Sequence, residues 1–143
     1  SWKDKYGVFF DPETVAELKR IVEETNADIV IESSWKYLGL EAMQQMWSDR
    51  NMPGKVIDIT PSSATDNMLL NANRDEMNPA HTQWKGVEIA SWIADNLQDE
   101  GRYVIIDDEY VIQDSQLPHF ILTNPYDGIT AELANKAIKI LNE

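Results

Sequence analysis

Two adjacent aspartates, Asp107 and Asp108, directly follow the most continuous strand-like run in the sequence, residues 103–106. Paired carboxylates at the end of a strand suit a hard cation such as Mg²⁺, which binds one or two carboxylates together with waters and phosphate oxygens. The alternative is that either aspartate only caps a solvated turn, because aspartate is a common turn former. The dipeptide alone does not decide between these interpretations.

Two serines and one lysine form the other candidate groups. Ser33 and Ser34 follow a second strand-like run, 27–31, where a hydroxyl and its backbone amide could bind a phosphoryl oxygen. The alternative is an N-cap or a serine turn. Lys85 stands in the first turn of a predicted helix, where the helix dipole disfavours a cation. A lysine placed against this preference suggests that an anion binds at the same place. The alternative is a solvated lysine on a helix face.

The elements that would position these residues alternate between helix and strand. Helical spacing and capping signals predict helices over 12–25, 40–51 and 130–141 and one after Asn78-Pro79, and β-branched runs predict strands over 27–31, 56–60, 103–106 and 120–123. Helices between strands imply parallel pairing, hence a layered α/β sheet that binds ligands beyond the carboxyl ends of its strands. The predicted chain opens with a helix, where such domains normally open with a strand.

Length and composition predict one domain over 1–143, with 61–80 as a loop or cap-like insert. The chain contains no cysteine, which excludes disulfides and thiolate sites and leads us to expect a cytoplasmic protein. Its net charge of −13 disfavours a generic nucleic-acid surface or an anionic membrane surface, and no apolar run is long enough to span a bilayer. The sequence also lacks a Gly-rich phosphate loop and a G-x-S-x-G motif.

Taken in order, these segments resemble the haloacid dehalogenase (HAD) superfamily, and more closely the HAD domain of Swiss Army Knife RNA repair proteins. The resemblance extends over nearly the whole chain. The segments that carry it are Phe9–Glu13, Ile29–Lys36, Lys85–Ile89 with Trp92-Ile93, and Tyr103–Asp108. The Ser-Ser-Trp-Lys run after a strand is fairly specific, whereas Asp-Asp after a strand is weak by itself.

The resemblance implies a Rossmann-like fold, a three-layer parallel sheet, and a Mg²⁺-dependent phosphohydrolase that uses aspartyl-phosphate chemistry. Ser33 matches the residue that holds the phosphoryl group, with Ser34 as the alternative. Lys85 matches the catalytic, phosphate-binding lysine, and Asp107 and Asp108 match the Mg²⁺ ligands. The implied substrate is a small phosphorylated molecule. A nucleotide or a nucleic-acid end follows only from the association with RNA repair.

The sequence departs from the family pattern at its first motif, a strand ending in Asp-x-Asp-Gly that carries the nucleophile. Asp4 imitates the spacing, but Tyr6 replaces the second acid, so we expect Asp4 to be a surface residue. We therefore expect the first central strand to be absent and the domain to lack roughly 20–30 N-terminal residues. A second departure is Glu32, whose charge beside the serines could weaken anion binding.

Two other functions compete with the phosphohydrolase. The first is a non-catalytic HAD-like module that binds a partner or a phosphorylated ligand. The second is a receiver-like phosphoacceptor domain, which would place its acids after the first strand and its lysine after the last strand. In this sequence Lys85 precedes Asp107 and Asp108, which argues against a receiver.

Overall fold

The computed structural model describes residues 3–62, 84–97, 101–110 and 112–143. Within these ranges it has short strands and four longer helices in an alternating order, which agrees with the predicted α/β class. The strands are β1 (Lys3–Asp4), β2 (Gly7–Val8), β3 (Ile29–Ile31), β4 (Val56–Ile59), β5 (Ile105–Asp107) and β6 (Phe120–Leu122). The helices are α1 (Pro12–Thr25), α2 (Leu40–Asp49), α3 (Trp84–Asn96) and α4 (Ala131–Asn142), with 3₁₀ helices at Ser34–Leu38 and Asp114–His119.

Capping residues set the ends of α1 and α4 where the sequence predicts them. The Asp11 carboxylate accepts a hydrogen bond of 2.8 Å from the Glu13 amide, and proline occupies the first turn of α1. Asn26 adopts a left-handed conformation at φ 59° and ends the helix. The Thr130 hydroxyl caps α4 in the same manner, by accepting from the Leu133 amide at 3.2 Å. Each cap satisfies an amide that the first helical turn leaves unpaired.

The parallel strands form two separate pairs, so the predicted continuous three-layer sheet is not found in the described part of the chain. β3 pairs with β4, and β5 pairs with β6, both in parallel register. No backbone ladder joins β3 to β5 within the described ranges. A continuous sheet requires neighbouring strands at hydrogen-bonding distance. In the described ranges β3 is hydrogen-bonded to β4 and β5 to β6, and these bonds use one edge of each strand.

The prediction that the chain opens with a helix is wrong, because a short antiparallel hairpin of β1 and β2 precedes α1. The Tyr6 amide donates to the Asp4 carboxylate at 2.9 Å, and Gly7 supplies the positive φ of 111° that the turn needs. The Asp4 side chain is 26% exposed, so Asp4 lies at the surface as predicted, although it is paired. Arg50 donates to its two carboxylate oxygens at 3.0 and 2.9 Å, since the buried guanidinium requires a carboxylate partner.

Each strand pair packs against its own apolar cluster. The cluster beside β5 and β6 combines side chains from these strands with α1 and α4, and its buried members are Ile21, Ile121, Ile129, Ala134 and Ala137. The cluster beside β3 and β4 is built mainly from α2, and its buried members are Met43, Met46 and Val56. None of the helices in the described ranges is long and apolar enough to cross a bilayer.

Helix α3 packs closely against the segment that leads to β6. The Gln116 side chain is buried, donates to the Gly86 carbonyl at 2.9 Å and accepts from the Gln113 amide at 2.9 Å. A Cβ atom on Gly86 would lie 2.6 Å from the Gln116 side-chain oxygen and 2.8 Å from the Ile112 Cα. Glycine is therefore required for this close approach. The predicted insert at 61–80 falls largely on residues 63–80, which lie outside the described ranges, and it stays a prediction.

We predict that Gly86→Ala lowers the free energy of unfolding by about 1–3 kcal/mol, because the added methyl group overpacks the contact with backbone atoms. Helix propensity alone predicts the opposite, a gain of about 1 kcal/mol. Urea denaturation measures the change, and Ala94→Gly at an exposed position of α3 calibrates the propensity effect. An alanine variant as stable as the parent would contradict the contact.

Candidate functional site

Lys85 and Asp107, two of the predicted site residues, form an ion pair. The Lys85 Nζ lies 2.9 Å from Asp107 Oδ2 and 3.8 Å from Glu109 Oε1. Asp107 is the last residue of β5, so the predicted strand end at 106 is one residue short. Its other carboxylate oxygen accepts from the Glu109 amide at 2.9 Å. The first turn of α3 is thereby bonded to the carboxyl end of β5.

The charge state of Lys85 follows from these neighbours. Burial favours the neutral amine and by itself lowers the pKa of Lys85. The hydrogen bond and charge of Asp107 act in the opposite direction, and the charges of Glu109 and Glu32 add to them, so the pKa is raised overall. The Lys85 ammonium is therefore fully charged at neutral pH, although its side chain is only 9% exposed.

Ser33 adopts an extended conformation after β3 and caps the following 3₁₀ helix. Its hydroxyl oxygen accepts a hydrogen bond of 3.2 Å from the Trp35 amide, which is the N-cap alternative considered for it. A serine hydroxyl also has its own proton to donate, so the cap does not prevent contact with an anion. Ser34 begins the 3₁₀ helix. The phosphate-binding roles of Ser33 and Ser34 stay predictions.

Asp108 is exposed next to Asp107, and the two carboxylates have the donor chemistry that Mg²⁺ prefers. Asp107 already contacts Lys85 and an amide, but each carboxylate oxygen has a second lone pair available. Within the described ranges, no group of three or more acidic, histidine or cysteine side chains could hold a metal ion. The pair therefore fits a Mg²⁺ whose remaining ligands are waters and substrate oxygens, and this ligand role stays a prediction.

A buried charge cluster lies beside these residues, and we call Glu32, Lys36 and Glu88 the Lys36 cluster. The Lys36 Nζ is 2.8 Å from Glu88 Oε1, 3.2 Å from Glu32 Oε2 and 3.2 Å from the Thr60 hydroxyl oxygen. The side chains of Lys36, Glu88 and Glu32 are 2%, 0% and 8% exposed. One ammonium therefore joins the ends of β3 and β4 to α3.

Sequence reasoning noted Glu32 as a departure but missed the cluster. The available signal was the spacing, because Glu88 lies three residues after Lys85 and therefore shares its helix face. Lys36 likewise lies four residues after Glu32. That these three charges are buried together depends on three separate elements, which local spacing does not reveal.

The carboxyl group of Glu32 has a strongly raised pKa. Burial is the main cause, and the charge of Glu88 adds to it, while Lys36 acts in the opposite direction. Together they raise the pKa of Glu32 from 4.5 to about 7. The site therefore contains a carboxyl group that changes charge close to neutral pH.

The sequence model of one family, described as the HAD domain in Swiss Army Knife RNA repair proteins, matches residues 1–134. The chain belongs to this HAD family. The family resemblance inferred from the sequence is thereby confirmed, and with it the α/β class. No curated protein and no solved structure matches the chain.

Glu32 makes the stability of this HAD domain depend on pH. Its raised pKa means that the folded state binds the proton more tightly than the unfolded state, so the free energy of unfolding falls as pH rises from about 4.5 to about 7. The difference is about 3 kcal/mol, at 1.36 kcal/mol per pKa unit. We predict that Glu32→Gln removes most of this slope in denaturation curves recorded between pH 5 and 8.

The matched control for this measurement is Glu23→Gln, which removes an exposed carboxylate from α1. The control should retain the slope of the parent protein. Parallel stability profiles for the parent and Glu32→Gln would show that Glu32 titrates at an ordinary pKa.

Proposed function

We propose that this HAD domain forms the phosphate- and metal-binding part of a Mg²⁺-dependent phosphohydrolase. The observation that carries the proposal is the Lys85–Asp107 ion pair at the end of β5, on the helix that also contacts the end of β3. Membership of the HAD family supports the same chemistry. Parallel strands commonly bind ligands beyond their carboxyl ends, where these residues lie.

In this proposal Ser33 donates its hydroxyl proton to a phosphoryl oxygen, with Ser34 as the alternative donor. Lys85 is the catalytic cation, which offsets the negative charge that develops on the phosphoryl group. Asp107 keeps the ammonium at the strand end, and the raised pKa of Lys85 keeps it charged.

Asp107 and Asp108 would hold the magnesium ion. When bound, Mg²⁺ offsets charge on the phosphoryl oxygens and orients the substrate. Since Asp107 also contacts Lys85, loss of its carboxylate would disturb the cation and the metal together. Asp108 is exposed beside it, so removal of its carboxylate would affect the metal more selectively.

The nucleophile in this proposal is an aspartate on a strand outside these 143 residues, because the sequence contains no Asp-x-Asp-Gly motif. The lack of a ladder between β3 and β5 in the described ranges supports a place for that strand between them. Buried strand edges without partners would cost about 1–3 kcal/mol per group. The aspartate oxygen would bond to phosphorus as the ester P–O bond breaks, and water would then release inorganic phosphate.

The proposed substrate is a small phosphorylated molecule, such as a nucleotide or the phosphorylated end of a nucleic acid. The family description, which names RNA repair proteins, supports the nucleic-acid end. The net charge of −13 opposes contact with a long nucleic acid and favours recognition of the phosphate alone. A cytoplasmic location belongs to the same proposal and rests on the cysteine-free composition.

A second candidate is a non-catalytic HAD-like module that binds a phosphorylated ligand. The absence of the Asp-x-Asp-Gly motif from the sequence favours it, since Ser33, Lys85 and the aspartates can bind a phosphoryl group without accepting it. The two candidates differ in turnover. Only the phosphohydrolase should cleave a phosphate ester once the motif is supplied.

We predict that residues 1–143 alone do not hydrolyse an aryl phosphate, whereas the same chain preceded by an Asp-x-Asp-Gly strand does so in the presence of Mg²⁺. In the active form, Lys85→Met should lower kcat by about 100- to 1,000-fold, the usual effect of removing one group that stabilises developing charge. Asp108→Asn should raise the Mg²⁺ concentration needed for half-maximal rate. Release of the aryl alcohol measures each rate.

The controls are Lys55→Met and Asp114→Asn, which change exposed residues of the same types. Both should retain the parent rate and the parent Mg²⁺ dependence. Mg²⁺-dependent turnover by residues 1–143 alone would contradict the assignment of the nucleophile. Ligand binding without turnover in the extended protein would favour the non-catalytic module.

A further inference from the structure

The Lys36 cluster has an imbalance of charge that the proposed chemistry does not use. Two carboxylates and one ammonium give a net charge of −1 when all three groups are ionised. The cluster is almost fully buried, where an unbalanced charge is costly. In the described part of the chain, none of the four carboxylate oxygens of Glu32 and Glu88 has a hydrogen bond of good geometry. Both carboxylates nevertheless lie at ion-pair distance from Lys36.

A single added proton would remove both the unbalanced charge and the lack of hydrogen bonds. Placed on either carboxyl group it makes the cluster neutral, and it also supplies a hydroxyl donor to oxygens that lack one. Lys36 cannot fill this role alone, because its ammonium also donates to the Thr60 hydroxyl oxygen and, at 3.4 Å, to the Pro61 carbonyl. The geometry therefore favours a neutral carboxyl group beside the shared lysine.

We propose that Glu32 holds a proton beside Lys36 at neutral pH, and that this proton controls how tightly the site beside Ser33 and Lys85 binds an anion. With the proton, the cluster is neutral and adds no charge to the site, where Lys85 is already paired with Asp107. Without it, a negative charge next to Ser33 opposes the anion. The inference rests on the proposed function, because it takes this site as the phosphate site.

The charged surroundings of Glu32 are consistent with this behaviour. Glu88 and Lys85 face it from α3, Lys36 from the 3₁₀ helix, and the Thr60 hydroxyl from the end of β4. Burial and the charge of Glu88 raise its pKa to about 7 in spite of Lys36. Anion affinity should therefore be highest below pH 7 and should fall as the pH rises through 7.

The three members are positioning residues and do not contact the anion. Glu88 lies three residues after Lys85 on α3, and its contact with Lys36 fixes that helix turn against the ends of β3 and β4. Glu32 immediately precedes Ser33, so the same contacts fix the serine. A change in the cluster should therefore act through the affinity and pH profile of the site.

The test is calorimetric titration of the 143-residue protein with inorganic sulfate at pH 6 and pH 8. Sulfate resembles a phosphoryl group, and its charge does not change over this range. We expect binding on the order of tenfold weaker at pH 8, the effect of one added charge near the anion. The Glu32→Gln variant should bind sulfate with equal affinity at both pH values. In the Glu88→Gln variant the fall in sulfate affinity should move below pH 6. Glu23→Gln should behave like the parent.

Carboxyl ¹³C NMR of the protein without sulfate measures the proton on Glu32 independently of anion binding. One glutamate should titrate near pH 7 in the parent, and this transition should be lost in Glu32→Gln. No sulfate binding at either pH would overturn the anion site and the proposed function, while a glutamate titrating near pH 7 would still support the proton on Glu32. Equal sulfate affinity at pH 6 and 8 in the parent, or no glutamate titrating between these values, would overturn the inference alone.

Discussion

The first turns of α3 carry a cation, Lys85, and an anion, Glu88, which form ion pairs beside different pairs of strands. Lys85 contacts Asp107 on β5, and Glu88 contacts Lys36 beside β3 and β4. Each strand pair has its own apolar cluster, and no backbone ladder joins β3 to β5 in the described ranges. The relative position of the two strand ends, and so the geometry of the site, depends on these ion pairs.

The ion pairs contribute more to specificity of position than to stability. Burying charges costs desolvation energy that their attraction only partly offsets, so a buried pair is weak support for a stable fold. Breaking one is nevertheless expensive, because it leaves a buried charge unpaired. Gly86 lies between Lys85 and Glu88 and lets the helix approach Gln116, which holds the same turn from a third direction. The turn is therefore constrained on three sides.

The features predicted from the sequence are those that depend on local signals. Asp11 and Thr130 cap α1 and α4 as expected. Lys85 and its ion-pair partner Asp107 were both among the residues predicted for the site. The β1–β2 hairpin was missed because it depends on the pairing of Asp4 with Arg50, 46 residues away. The Lys36 cluster was missed for the same reason, since its charges come from separate elements.

The most direct test of the account is the distance between the two strand pairs in solution. Because the chain has no cysteine, Ile57→Cys on β4 and Leu122→Cys on β6 would place spin labels at exposed positions. Double electron–electron resonance should give one narrow distribution of the distance between the two labels. The distribution should broaden in the double variant Lys85→Met/Glu88→Gln. It should stay narrow in the control Lys19→Met/Glu23→Gln, which changes an exposed ion pair. An equally narrow distribution in all three proteins would contradict the claim that the helix turn fixes the strand pairs.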